Sequence, residues 1–372
     1  MDTSFGLNDA MAVKLWSKKL SVEAVKATDI GAFIGDDAGA VIHRKTEAEK
    51  GKGDQITFGI RIQLSGNGFT ENELSEGNGE SLTLYSDKLT INELGHVVGV
   101  KSDDTIDAQR VPFNMREEAR AGLAGWWQKR LSVSLMNQLC GYTPANAAPY
   151  GSKYTGLQAV VAPSSGRQIW QGSLTADESL TSTNTFSLTM LDKMKEMAIN
   201  ASPLIRPISV KKPGDDIGDF ETSVQEGKYA VFLHPFQVTD LRTSTSTGQW
   251  LDIQKAAMQG GQVTGSPIYL GSLGEYNGMI LKSAIDVTQG VNSSTGAAIT
   301  TVRRAVLCGA QAATIGYGQK NSPSKYRWNE ELFDHKRRLE VSAWALWGLK
   351  KTQFNSVDYG TIVGSTYAAA HT

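Results

Sequence analysis

From Gln55 the chain alternates between apolar and polar positions. Ile56, Phe58, Ile60, Ile62 and Leu64 share one side, while Thr57, Arg61 and Gln63 take the other, with Gly59 between them. This period of two predicts a half-buried strand. A polar, glycine-rich stretch at residues 65–80 follows, and then a returning strand near residues 81–91. In that return Leu82 and Leu84 have one parity and Leu89 and Ile91 the other, which predicts a bulge or twist near Asp87. The unit reads as a long hairpin whose tip carries Glu71, Glu73, Glu76 and Glu80. A two-stranded hairpin is marginal alone in water, so its apolar face needs a cover. The cover is either the same chain or a neighbour, and an arm packed on a neighbour accounts better for the length.

The period then changes. Met115, Ala119, Leu123, Trp127, Leu131, Leu135 and Leu139 recur every four residues, with Ala124 and Met136 beside the stripe. This predicts one long amphipathic helix. Asn114 is a good N-cap, Glu117 stands where a capping box places its acid, and Gly141 is a helix-stopping glycine. Gly122 and Gly125 predict the close approach of another backbone. Arg116, Arg120, Lys129 and Arg130 lie on the polar side. A second amphipathic helix is predicted over residues 8–34, where Val13, Trp16, Leu20 and Ala24 form a stripe diluted by Lys14, Lys18, Lys19 and Lys26. That stripe docks either on its own domain or on a neighbouring subunit.

Residues 142–185 lack periodicity and read mostly as loop. A short helix is predicted over 188–200, a compact strand over 229–233, and helices over 236–242 and 249–258. Residues 305–315 form a buried segment. Over 338–350, Leu339, Val341, Ala343, Ala345, Trp347 and Leu349 share one parity, so a long strand is predicted, with a helix burying Trp344 and Trp347 as the alternative.

At 372 residues, two or three lobes are expected. Hydrophobic residues make up 40% and charged residues 20%, a globular composition. The formal net charge is −1, from 37 basic and 38 acidic side chains, which argues against a dedicated site gripping nucleic acid. No signal peptide and no apolar run of about 18 residues is visible, so the expectation is a protein made in, and at first staying in, the cytoplasm, without a membrane.

Candidate chemistry is sparse. Cys140 and Cys308 are the only cysteines, too few and too distant for a zinc pattern or a disulfide framework. His43, His96, His234, His335 and His371 form no HExxH and have no ligand at metal spacing. Leu270 stands where a nucleophile elbow around Ser272 needs glycine, and Lys52 lacks the glycine and hydroxyl of a phosphate loop. Asp215, Asp216, Asp219 and Glu221 cluster in an oxygen-rich loop, which reads as solvated, with a metal as the alternative. The tryptophan pairs read as core or interface rather than as a ligand platform. No catalytic residue and no cofactor are expected.

The order of elements — terminal helical arm, long hairpin, long helix, mixed lobe, late strand — resembles the α+β subunit of the Hong Kong 97-like capsid fold. That fold has an N-terminal arm, an E-loop hairpin, a P-domain with a long spine helix, and an A-domain. AVKLWSKKL from Ala12, GDQITFGIRIQLSGNG from Gly53, LTLYSDKLTINEL from Leu82 and PFNMREEARAGLAGWW from Pro112 are similar to the major capsid family named after coliphage N4. So are LHPFQVTDLRTSTSTGQWLDIQKAA from Leu233, GSLGEYNG from Gly271, LCGAQAA from Leu307 and LWGLKKTQFN from Leu346. These blocks keep their order across nearly the whole chain.

The resemblance implies an arm at residues 1–40, an E-loop at 41–95, a P-domain with the spine helix at 96–145, an A-domain with returning P-domain segments at 146–325, and C-terminal P-domain strands at 326–372. It implies a subunit that assembles into hexamers and pentamers of an icosahedral shell around double-stranded DNA, held without sequence-specific binding. Scaffold, portal and decoration or cement proteins are the further partners it implies. An E-loop lying over a neighbour implies contacts through Ile60, Ile62, Phe69, Glu71, Glu73, Glu76 and Glu80. Arg116, Arg120, Lys129 and Arg130 of the spine helix are candidate basic counterparts, and Trp16, Lys18 and Lys19 represent the arm. An encapsulin-like compartment shell and another virion structural protein are the rival readings.

Overall fold

Two mixed sheets and the long helix that joins them organise the chain, seen here in a computed structural model. The described residues are 31–37, 39–45, 54–61, 68–71, 73, 76, 77, 79, 84–101, 105–110, 114–145, 158–208, 227–244, 274–318 and 326–371. The first strands are β1 (Ile34–Gly35), β2 (Ile42–Lys45), β3 (Gln55–Arg61), β4 (Leu84–Thr90), β5 (Asn92–Lys101), β6 (Gln168–Trp170), β7 (Tyr229–Leu233) and β8 (Glu275–Tyr276). They are followed by β9 (Met279–Ser283), β10 (Gln289–Val291), β11 (Ala298–Cys308), β12 (Ala313–Tyr317), β13 (Arg327–Phe333) and β14 (Arg338–Lys351). The last are β15 (Gln353–Phe354), β16 (Val357–Asp358) and β17 (Thr361–Tyr367). The helices are α1 (Ile106–Arg110), α2 (Met115–Cys140), α3 (Leu188–Asn200) and α4 (Pro235–Thr243).

Helix α2 has the expected ends. The Asn114 side chain accepts from the main-chain nitrogens of Arg116 and Glu117, and Gly141 closes the helix at φ 61°, a left-handed conformation that favours glycine. Its 26 residues span about 40 Å at ~1.5 Å per residue. That length lets it serve two cores. Ala119, Leu123 and Trp127 pack against Trp328, Leu339, Val341, Ala343 and Ala345 of the first sheet. Leu131, Leu135, Met136 and Leu139 pack against Ala230, Phe232, Val306, Cys308 and Val363 of the second.

The first sheet runs β1-β2-β12-β14-β13, with β5 also paired to β14. Residues 338–350 are thus a strand and not a helix: Leu339, Val341, Ala343, Ala345 and Leu349 face the core as their parity predicts. Trp344 takes the other face and lies across Gly95 of β5, where an added Cβ would sit 2.2 Å from its ring.

The second sheet runs β6-β17-β11-β7-β9-β8, with β10 on β11. Every residue of β7 is buried because both faces are covered. Ala230 and Phe232 face α2, whereas Tyr229, Val231 and Leu233 face the α3 core with Leu188, Leu191 and Met194. The buried segment at 305–315 is the end of β11, a turn with Gln311 at φ 55°, and the start of β12.

Two sequence expectations need amendment. Residues 31–35 form a short 3-10 turn and strand β1 rather than the end of a helix; the rest of the helix expected over 8–34 lies outside the described residues. So does the helix expected over 249–258. Near Asp87 there is no bulge. The β3–β4 register is unbroken from Gln55 opposite Thr90, through Phe58 opposite Asp87, to Arg61 opposite Leu84. Asp87 stays on the apolar face because Lys350 pairs with it there.

Candidate assembly surfaces

The hairpin β3–β4 has a covered root. Ile56, Leu89 and Ile91 form a small core with Phe58 and Leu346, and Phe58 also meets Phe354 and Tyr359. Tyr85 packs edge-on to Phe354 at 4.7 Å. The Asp87 carboxylate, 8% exposed, takes the Lys350 ammonium and accepts from Gln353 N at 3.3 Å. The root therefore rests on its own chain, fixed by burial and by one ion pair.

Beyond the root the character changes. Ile60 lies opposite Tyr85 in the register; its side chain, Ile62 and Glu80 fall outside the described residues. Phe69 is 50% exposed, and Glu71, Glu73 and Glu76 are all exposed. Glu73 accepts from Thr70 N at 3.0 Å, a local turn that leaves the carboxylate in solvent. The stretch from Ser65 to Glu80 contains four glutamates and no lysine or arginine.

The basic residues of α2 are engaged within the chain. Arg116 pairs with buried Glu330 at 2.8 Å, and Trp328 Nε1 donates to the same carboxylate at 2.6 Å. Lys129 pairs with Asp286. Arg130 is 6% exposed, with its guanidinium 5.8 Å from the centre of the Trp126 ring. Arg120 is half-buried. Gly122 and Gly125 face open space, with no described atom within 4 Å of an added Cβ, so the close backbone approach expected there does not occur within the described chain. Trp16, Lys18 and Lys19 lie outside the described residues.

One basic surface was not anticipated. The turn between β13 and β14 is Asp334-His335-Lys336-Arg337, continued by Arg338, and all five residues are exposed. Asp334, His335 and Lys336 have φ of 51°, 53° and 70°, three consecutive non-glycine residues in the left-handed region. Among the described residues no ion pair engages Lys336 or Arg337, while Arg338 meets Glu340 at 3.3 Å. The run of three basic residues before an alternating stretch was the available signal.

The groups weighed for chemistry serve the fold. His234 caps α4, its Nδ1 accepting from Phe236 N at 3.2 Å while Gln237 closes a capping box. Burial pushes its pKa down to about 4. Cys140 and Cys308 are buried free thiols, both pushed up by desolvation. Among the described residues no group of three or more His, Cys, Asp or Glu side chains is arranged to hold a metal; the Asp215–Glu221 loop lies outside them.

Comparison with known proteins addresses the whole chain. A family model described as phage capsid protein matches residues 4–370. The major capsid protein of Pseudomonas phage KPP25 is 26% identical over 385 residues, covering 96% of this chain and 94% of that protein. The capsid of Ralstonia phage GP4 superposes with a TM-score of 0.73 at 28% identity, covering 91% of this chain and 90% of that one. The cyanophage Pam1 capsid shares the fold, with a TM-score of 0.68 at 20% identity over 93% of this chain and 94% of that one.

Proposed function

Since the chain belongs to the phage capsid protein family and is a phage major capsid protein that forms the icosahedral shell, we propose that it builds the shell as a Hong Kong 97-like subunit, with hairpin β3–β4 as the arm that bridges to a neighbour. The observation that carries this reading is the division of the hairpin into a buried root and an exposed, acidic tip bearing Phe69. Phe69, half-exposed amid the acidic residues, is left uncovered by the described chain. On this reading the arm is residues 1–40, the E-loop 41–95, the P-domain with the spine helix 96–145, the A-domain with returning P-domain segments 146–325, and the C-terminal P-domain strands 326–372. The family named after coliphage N4 is the proposed branch.

The subunits form hexamers and pentamers in the host cytoplasm and enclose double-stranded DNA without reading its sequence. The near-neutral chain, at −1, supports a shell that tolerates DNA rather than one that grips it. Scaffold, portal and decoration proteins are the further partners proposed. Ile60, Ile62, Phe69, Glu71, Glu73, Glu76 and Glu80 are the proposed E-loop contacts, and Trp16, Lys18 and Lys19 those of the arm. Arg116, Lys129 and Arg130 are weaker partners for the tip, since Glu330, Asp286 and the Trp126 ring already occupy them.

Many modest contacts suffice for such an assembly, because each subunit is held by several neighbours at once. The test is electron microscopy and light scattering of the purified protein, alone and with candidate scaffold proteins from its source phage. Closed shells or capsomers are expected. A chain that stays monomeric at every concentration and salt, scaffold included, overturns the proposal.

A further inference from the structure

Hairpin β3–β4 belongs to neither large sheet. Among the described residues its two strands pair only with each other, so no main-chain ladder fixes its direction against β5 or β14. The chain passes from β4 to β5 through the single residue Ile91, whose N donates to Asp54 O at 2.7 Å, and the hairpin can swing about that point. The apolar cover of its root is small, and apolar contact is not directional. The directional contacts are polar. Asp87 of β4 takes the Lys350 ammonium and accepts from Gln353 N. Gln353 Nε2 donates to Asp358 Oδ1 at 3.2 Å, and Asp358 Oδ2 takes the Lys351 ammonium at 2.8 Å. Lys350 and Lys351 are consecutive residues on opposite faces of β14, so these contacts close a ring. A second path reaches the hairpin at Thr90, whose carbonyl accepts from Gln158 Nε2 at 3.0 Å. Gln158 O accepts from Gln138 of α2 at 3.3 Å, and Gln138 Oε1 accepts from Lys351 N at 3.4 Å.

We infer that this ring is an angle-setting latch, which couples the direction of the hairpin to the position of the second sheet. Its consequence for assembly rests on the reading of the hairpin as a bridging arm, whereas the coupling itself belongs to the single subunit. The near side of the network is anchored in the first sheet, where Lys351 and Lys350 pair with Ala313 and Thr314 of β12. The far side is built from the segments that enter the second sheet. Asp358 stands just before β17, and Ser164 just before β6. The two are joined twice: Ser164 N donates to Asp358 Oδ2 at 3.2 Å, and Asp358 N donates to Ser164 Oγ at 3.0 Å. β6 and β17 are neighbours in that sheet. The side chains of Lys351 and Asp358 are 1% and 0% exposed, so a partner lost when either sheet turns leaves a buried charge uncompensated. One arrangement of hairpin and second sheet satisfies every group at once. A shift of β17 against the first sheet therefore pulls on Asp358, then on Gln353, then on Asp87. The latch passes the internal shape of a subunit on to the arm that meets its neighbour.

Spin labels on the subunit test the coupling. S86C carries one label on β4 and E196C a reference label on α3; both positions are exposed, while Cys140 and Cys308 are buried and out of reach. Ser86 lies about 16 Å along the strand from Ile91 at ~3.3 Å per residue, so a swing of about 20° shifts its label by about 6 Å. The double-labelled chain should give one narrow distance distribution. D358N opens the ring at a bond the hairpin does not make, and the distribution should broaden. Because D358N leaves Lys351 unpaired and can unfold the chain, Q353M is the second variant. It removes only the amide donor to Asp358 from a half-buried position, and thermal unfolding verifies that the subunit is intact. Broadening in Q353M is expected, together with irregular particles and a loss of closed shells in electron micrographs. An unchanged distribution in folded Q353M overturns the latch. If the distribution broadens while closed shells form as before, the latch stands and the bridging-arm reading is what fails.

Discussion

Arg304 of β11 and Asp177, from the 3-10 turn after β6, form a buried ion pair at 2.7 Å, and the same guanidinium donates to the Gly141 carbonyl at 2.9 Å. The pair ties the C-terminal end of α2 to the second sheet. The Asp177 carboxylate also accepts from Trp170 Nε1 at 2.8 Å and from Val291 N at 2.9 Å, so its charge is fully compensated. Removing one partner leaves the other buried and unpaired. Arg304→Met is expected to cost about 3–5 kcal/mol in urea unfolding of the subunit. Combining it with Asp177→Asn should cost less than the two single changes added together. Additive losses would show that the two residues do not act as a pair.

The pH dependence of folding should carry the signature of His234. Its Nδ1 must be unprotonated to cap α4, and burial, helped by Arg303 and opposed by Asp286, holds its pKa at about 4. In the unfolded chain a histidine titrates near 6.5. Between those values the unfolded chain takes up a proton that the folded chain refuses. The stabilisation is therefore complete above about pH 6.5 and declines as pH falls toward 4, by about 3 kcal/mol over the window. His234→Asn keeps a good cap and should remove that slope. Parallel profiles of urea midpoint against pH for the two proteins would dismiss the assignment.

Root and tip of the hairpin should separate experimentally. Leu89 is fully buried on the chain's own core, so Leu89→Ala is expected to lower subunit stability by about 2–5 kcal/mol. Replacing residues 65–79 by an Asn-Gly turn removes a polar, glycine-rich stretch and should leave stability within about 0.5 kcal/mol. Particle formation, followed by light scattering, should instead fall sharply. Intact assembly of the shortened protein would mean that the tip bridges nothing.

Gly95 offers a sharper packing test. With the Trp344 ring 2.2 Å from any added Cβ, Gly95→Ala should destabilise by about 1–3 kcal/mol. Trp344→Leu in the same chain should recover most of that loss in thermal unfolding. If Gly95→Ala unfolds at the unmodified temperature, the ring is not held over the strand.

Much of the framework is legible in the amino-acid sequence. Helix α2 can be read from Asn114 to Gly141 because its cap, stripe and stop are all set by neighbours within a few residues. The same holds for α3, for β7, and for the alternation that makes β14 a strand. The resemblance of ordered sequence blocks carries the shell function. Asp87 is misread because parity alone cannot show that a carboxylate on an apolar face has Lys350 waiting for it, 263 positions away.

What the sequence determined by itself is the set of local periods and ends, and hence the elements and the long hairpin. What only the tertiary structure decided is which charges are still available. Arg116, Lys129 and Arg130 look like a basic surface along a helix, yet Glu330, Asp286 and the Trp126 ring meet them once the sheets assemble. Lys336 and Arg337 look like an ordinary turn, yet pairing of β14 with β13 and β5 leaves them exposed at the end of the first sheet. Periodicity depends on near neighbours and survives in one dimension. Charge pairing and polarity depend on strand register between distant segments, which only the folded chain fixes.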